Sequence, residues 1–238
     1  KKNAYKTEPV DMPDIASVRQ KLGVPANRTL PDGSPYHTLP LIHNPSTGGF
    51  IGDTFEIALH LDRTYPAGPQ LFRPGTVGLT AALNARVDEM FTKYVALSDN
   101  MPFPKESEEK IYGMFSSRFG LSSLDEMAMS AEAREALFVG FENALGEFAK
   151  AYRHVGGTTD TVWRATGTAT AQAQKQGREE VGPYLDGDEP VYADLIVGAW
   201  LAMAATCMSE EDWKRVRSWD GGLWGRIHDA LEPLREMV

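Results

Sequence analysis

The stretch Pro66-Ala67-Gly68-Pro69-Gln70-Leu71-Phe72-Arg73-Pro74-Gly75 carries proline or glycine at five of its positions, 66, 68, 69, 74 and 75. Proline lacks the N–H that a helix interior or a central strand requires, so neither element can run through this segment. It divides a chain of 238 residues, long enough for two domains with separate apolar cores, into parts that follow different patterns. The expected organisation is a first domain over residues 1–66, a linker over 67–75 and a second domain over 76–238.

Before the linker the apolar pieces are short and punctuated by turn residues. Tyr5-Lys6-Thr7-Glu8-Pro9-Val10 alternates like a strand, with Pro9 marking its end or an edge. A helix over Pro13–Leu22 is stopped by Gly23 and Pro25, and Ala26–His37 reads as a loop. Thr38–Ile42 and Phe50-Ile51 flank Asn44-Pro45-Ser46-Thr47-Gly48-Gly49, which predicts a hairpin. Asp53 then opens a helix as its N-cap, with Glu56 placed to complete a capping box. Ile57, Ala58, Leu61 and Tyr65 recur at helical spacing before Pro66 ends the element.

Beyond the linker the period lengthens to that of amphipathic helices. Leu79, Leu83, Val87, Met90, Phe91 and Tyr94 form one stripe, and Leu137, Phe138, Phe141, Leu145, Phe148 and Tyr152 form another. The helix from Tyr192 to Cys207 is apolar nearly all round and is expected at the centre of the domain. A last helix from Leu223 to Met237 carries a turn at Pro233.

Charge and composition exclude several functions. Lys and Arg number 24 against 33 Asp and Glu, a net charge of −9 that repels phosphate backbones and anionic lipid, so neither nucleic acid nor membrane is an expected partner. The longest apolar run, Leu195–Met208, falls short of the roughly 20 residues that span a bilayer. One cysteine, Cys207, cannot form an internal disulfide and points to a reducing compartment, although a disulfide-free secreted protein also fits it. It lies on the most apolar helix, where desolvation disfavours the thiolate, and is read as a packing residue. The five histidines show no pair at metal-ligand spacing on one helix face, and no metal is expected. Nucleophile-elbow, zinc-protease, C-x-x-C, P-loop and dinucleotide-binding motifs are all absent.

One constellation carries chemistry. Proline at Leu39-Pro40 cannot donate a ladder hydrogen bond, and this is where a cis peptide can turn the backbone outward, which would leave the Leu39 N–H and C=O to a ligand. Fourteen residues on, Asp53-Thr54 stands at a helix start, where free N–H groups and the helix dipole favour a carboxylate. Thr54 adds a hydroxyl donor and Asp53 can pair with an ammonium, although the same two residues also serve as a plain cap. An extended backbone beside such a clamp suits a peptide with a free α-amino-acid end.

Thr38-Leu39-Pro40-Leu41-Ile42 followed by Asp53-Thr54-Phe55-Glu56-Ile57-Ala58-Leu59-His60-Leu61 resembles the second half of the thioredoxin-like domain of cytosolic glutathione transferases. Pro183-Tyr184-Leu185-Asp186-Gly187-Asp188-Glu189-Pro190-Val191-Tyr192-Ala193-Asp194 resembles the loop into the central helix of that family's helical domain. Met12-Pro13-Asp14 and Trp219-Asp220-Gly221-Gly222-Leu223-Trp224 are most similar to fungal members, which include serine-type transferases and etherase-like enzymes acting on lignin-derived aromatics.

The resemblance implies an α/β thioredoxin-like N-terminal domain plus an all-α C-terminal helical domain, glutathione as co-substrate, and a cytoplasmic homodimer. It implies that Leu39 bonds the cysteinyl backbone of glutathione, Pro40 fixes that loop, Asp53 contacts the γ-glutamyl ammonium, Thr54 its carboxylate, and His37 the glycyl end. Tyr112, Met114, Phe115 and Phe119 are candidates for a hydrophobic pocket that takes an aromatic electrophile at the domain interface, and equally candidates for core.

Two departures from the family stand out. Its helix cap is usually Ser or Thr with Asp three residues on; here Val191 holds the first position, at a typical cost of about 1 kcal/mol, while Asp194 remains able to bond back. Its first strand and helix have no counterpart, which implies roughly 30 residues before Lys1 as judged from ordinary element lengths. The Ser, Cys or Tyr that activates the thiol is expected there, leaving the catalytic residue unknown in this sequence. The implied activity is conjugation of glutathione to hydrophobic or aromatic electrophiles in detoxification. The alternatives are a non-catalytic ligand binder of the same fold and a glutathione-dependent reductase or etherase-type lyase.

Overall fold

The structure is a computed structural model and describes residues 5–30, 32–119, 129–153, 184–187 and 189–235. It forms two compact units. One comprises Lys1–Asn84, Asn100–Glu135 and Met237–Val238, and the other Ala85–Asp99 and Ala136–Glu236.

In the first unit a 3-10 turn, Met12–Asp14, leads into helix α1, Ile15–Lys21. Tyr5–Val10 is not a strand: among the described residues it belongs to no β-ladder. Alternation specifies which way side chains point, but a strand also needs a neighbour to complete its hydrogen bonds. The region expected to be only loop contains a short antiparallel pair, β1 Arg28–Thr29 and β2 Pro35–Tyr36. Asp32 makes the turn by accepting from the Ser34 N–H at 2.9 Å, and Gly33 supplies a φ of +84°.

The expected hairpin follows as β3 Leu41–Asn44 and β4 Gly49–Gly52, in antiparallel register from Leu41 opposite Gly52 to Asn44 opposite Gly49. Asn44 Oδ1 accepts from the Ser46 N–H and hydroxyl at 3.1 and 2.7 Å, the side-chain bonding that makes Asn a turn former. Helix α2, Thr54–Thr64, buries Ile57, Ala58 and Leu59. Leu61 and Tyr65, expected on the same apolar face, are exposed.

Helix α3, Val77–Lys93, is the first of the long helices. Its stripe is only partly core: Val87, Met90 and Phe91 are buried, whereas Leu79 is 75% exposed. Periodicity selects a face, and burial needs something packed on it. A short 3-10 turn, Val95–Leu97, and then α4, Lys105–Phe119, follow. The Ser107 hydroxyl ties α4 to the segment before α1 by donating to Asp11 Oδ2 at 2.7 Å.

The second unit is built on α5 Ala131–Arg153, α6 Tyr192–Cys207 and α7 Glu210–Leu231. Rings fill its centre: Phe91 stacks on Trp200 at 5.4 Å, Phe141 meets Trp219 edge-on at 5.7 Å, and Phe148 stacks on Trp224 at 6.2 Å. Such ring pairs add roughly 0.5–1.5 kcal/mol each beyond the area they bury.

Helix α7 is broken internally, since Asp220, Gly221 and Gly222 have φ of 53°, 67° and 81°. Two glycines make that left-handed run accessible, and Asp220 anchors it by accepting from Trp224 Nε1 at 2.7 Å. Pro233 lies in a 3-10 turn, Glu232–Leu234, while Met237 lies outside the described residues.

Candidate functional site

The antiparallel register decides the geometry of the site. Leu41 and Gly52 are the last paired residues of the hairpin, so the residues just beyond them, Leu39-Pro40 on one arm and Asp53-Thr54 on the other, emerge side by side. The Leu39–Pro40 peptide is cis. Leu39 and Pro40 are exposed, and among the described residues no hydrogen bond occupies the Leu39 N–H or C=O.

Asp53 is the N-cap of α2, and its Oδ1 accepts from the Phe55 N–H at 3.0 Å. The expected return bond, donated by the Asp53 N–H to the Glu56 carboxylate to complete a capping box, is not present among the described residues. Asp53 Oδ2 accepts no hydrogen bond among the described residues, and Thr54 beside it is exposed with its hydroxyl unengaged among them. The first N–H groups of an eleven-residue helix point the same way, with the dipole favouring negative charge. The site thus offers an acceptor for an ammonium, donors for a carboxylate, and a backbone donor and acceptor at Leu39.

His37 lies two residues before Leu39, half-buried, with Nδ1 buried and unpartnered among the described residues. The Thr38 hydroxyl donates to Asn27 Oδ1 at 3.0 Å. Asn27 is the acceptor position of an Asn-Arg-Thr glycosylation triplet, yet its Nδ2 is buried, which a glycan-bearing amide cannot be.

Tyr112 and Phe115 on α4 gather around Phe103, at ring separations of 6.1 and 6.3 Å, while Met114 is exposed. Phe119 closes α4, and its side chain lies outside the described residues.

In the second unit Asp194 is fully buried and accepts from the Leu185 N–H at 2.7 Å and the Val191 N–H at 3.0 Å. Burial pushes its carboxyl up, against the lowering effect of those two N–H donors. Val191 supplies no side-chain cap, and Pro183 and Asp188 of the same motif lie outside the described residues. Cys207 is a buried free cysteine whose thiol is pushed up by desolvation.

Two neighbours of the site give no sequence signal. Arg19 looks like an ordinary solvent-facing charge on a short helix but is 2% exposed, and Gly52 looks like a hairpin residue but packs against the Arg19 guanidinium. Among the described residues, no helix is long and apolar enough to cross a membrane.

The family described as glutathione S-transferase, C-terminal domain, matches residues 101–234. The chain is 26% identical over 236 residues to the glutathione S-transferase-like protein ustS of Aspergillus flavus, covering 92% of this chain and 76% of that protein. It is similar to the crystal structure of the glutathione S-transferase CsGST63524 of Ceriporiopsis subvermispora in complex with glutathione, with TM-score 0.79, 28% identity, and coverage of 99% of this chain and 86% of that one. It is also similar to the glutathione transferase GSTFuA2 of Phanerochaete chrysosporium, with TM-score 0.76, 25% identity, and coverage of 98% and 85%.

Together with the cis-proline loop and the capped start of α2, these similarities define the fold as an α/β thioredoxin-like N-terminal domain followed by an all-α domain. The chain belongs to the glutathione S-transferase family.

Proposed function

We propose that this chain is a glutathione transferase that binds glutathione at Leu39-Pro40 and Asp53-Thr54 and joins it to an apolar or aromatic electrophile. The observation that carries this reading is the Leu41–Gly52 register, which sets an unengaged backbone beside an acidic, hydroxyl-bearing helix start. The residues fit the ligand by chemistry. Leu39 offers its N–H and C=O to the cysteinyl backbone, Asp53 Oδ2 accepts from the γ-glutamyl ammonium, and the Thr54 hydroxyl and N–H donate to the neighbouring carboxylate. His37 serves the glycyl end. The crystal structure of the relative from Ceriporiopsis subvermispora in complex with glutathione supports glutathione as the ligand.

Glutathione supplies the sulfur nucleophile, and this chain's residues bind and orient it so that its ordering entropy is spent in binding rather than at the reacting atoms. Tyr112, Phe115, Met114 and Phe119 of α4 are assigned to the apolar co-substrate, a small aromatic electrophile of xenobiotic, lignin or plant origin. The working form is a cytoplasmic homodimer, with domains divided at 67–75.

Retention on immobilised glutathione and the thermal midpoint with and without glutathione test the reading. Retention with a rise in the midpoint is expected, because a ligand that binds only the folded state stabilises it. A protein that is not retained and whose midpoint does not move overturns it. Turnover of an aromatic electrophile then separates a transferase from a ligand binder.

A further inference from the structure

The guanidinium of Arg19 lies in the interior of the first unit, 2% exposed. Among the described residues it forms no ion pair with a carboxylate, its partners being two backbone carbonyls, and its Nε has no partner. Arginine stays protonated, so this is a buried charge held by neutral groups alone. Nη1 donates to the Thr38 carbonyl at 2.8 Å and Nη2 to the Pro25 carbonyl at 2.6 Å.

The same head group also touches the other arm of the hairpin. A Cβ placed on Gly52 would stand 2.8 Å from Arg19 Nη1 and 3.1 Å from Nη2, closer than a side chain tolerates. Thr38 immediately precedes Leu39-Pro40, and Gly52 immediately precedes Asp53-Thr54. One side chain thus abuts the root of each half of the site, and neither Lys nor Met has the planar fork that reaches two carbonyls at once.

We propose that Arg19 is a positioning residue for the ligand site, setting the Leu39-Pro40 loop and the Asp53-Thr54 helix start in one fixed relation through Thr38 and Gly52. The proposal rests on the glutathione reading and adds to it a residue that touches no ligand. A buried cation with no carboxylate partner also suits a site whose ligand is a net anion.

The test is isothermal titration of glutathione into the wild-type chain and into R19K, R19M, G52A and R19M/G52A, each first shown to be folded by circular dichroism. R19M is expected to raise the glutathione Kd about tenfold, as the loss of one charge-assisted hydrogen bond does. R19K should recover part of that. G52A should weaken binding in the Arg19 chain and add little in the R19M chain, because the atom its Cβ meets is gone.

Folded R19M and R19K that bind as the wild type does overturn the role of Arg19, even if their thermal midpoints fall. If R19M does not fold, an unchanged Kd in both R19K and G52A overturns it instead. Failure of the wild-type chain to bind glutathione overturns the parent reading and this role together, and that outcome is read before any variant is made.

Discussion

The Asp53 carboxylate accepts a 3.0 Å hydrogen bond from the Phe55 N–H while Asp53 itself is held at φ 80° and ψ 131°. A residue with a Cβ in such a conformation costs on the order of 1–3 kcal/mol, and the side-chain cap returns about 1 kcal/mol. Asp53 therefore combines a strained backbone with a cap and a charge, and substitutions separate the three. Asn caps equally well and tolerates positive φ, so Asp53→Asn should leave the thermal midpoint nearly unchanged. It should raise the glutathione Kd about tenfold through loss of the ammonium partner. Calorimetric titration and thermal unfolding of the same sample check both halves, and equal Kd values remove Asp53 from the site.

Thr54 makes the complementary case. Its hydroxyl bonds to nothing in the protein among the described residues, so Thr54→Ala should be neutral for stability within about 0.5 kcal/mol. Its glutathione affinity should fall about tenfold, the loss of one hydrogen bond to a charged carboxylate. A variant that loses stability but not affinity would show Thr54 to be a helix-start residue only.

Val191 occupies the N-cap of α6 in an extended conformation with no side-chain cap. Val191→Thr keeps the branched shape and adds an oxygen that can accept from the Asp194 N–H. A gain of about 1 kcal/mol is expected in urea unfolding. Loss of stability would mean that the buried hydroxyl finds no partner.

Asp194 ties the Leu185 and Val191 N–H groups to the start of α6, and Asp194→Ala strands both. Each buried unsatisfied donor costs about 1–3 kcal/mol, so a loss of roughly 3 kcal/mol is expected. Burial raises the carboxyl above its ordinary 3.8, so between that value and the folded one the folded chain holds a proton that the unfolded chain has lost. The resulting stability is fully present below 3.8 and falls as pH rises through the raised value. Urea unfolding across that interval should show this downward slope in the wild type and its absence in Asp194→Ala. Parallel curves would contradict the assignment.

Cys207 is buried with its thiol pushed up, so little thiolate forms at neutral pH. Iodoacetamide should alkylate it slowly in the folded protein and rapidly after unfolding in urea, as followed by mass spectrometry. Equal rates would place the thiol at the surface.

The sequence carried the elements whose causes are local. Asn44 through Gly49 contains its own turn chemistry and Asp53 its own cap, so these were legible without coordinates. The same local logic failed wherever the outcome depended on a neighbour. Tyr5 through Val10 alternates but has no ladder partner among the described residues, and Leu79 keeps helical spacing but is left exposed. Arg19 has the composition of a surface charge, yet it sits in the interior.

By itself, then, the sequence determined where turns, caps and helix periods fall, because those follow from the dihedral and hydrogen-bonding preferences of adjacent residues. Only the tertiary structure decided that Leu39-Pro40 lies beside Asp53-Thr54 and that Arg19 underlies both arms. Strand register and the burial of a charge are relations between distant segments, and no short stretch of chain specifies both partners.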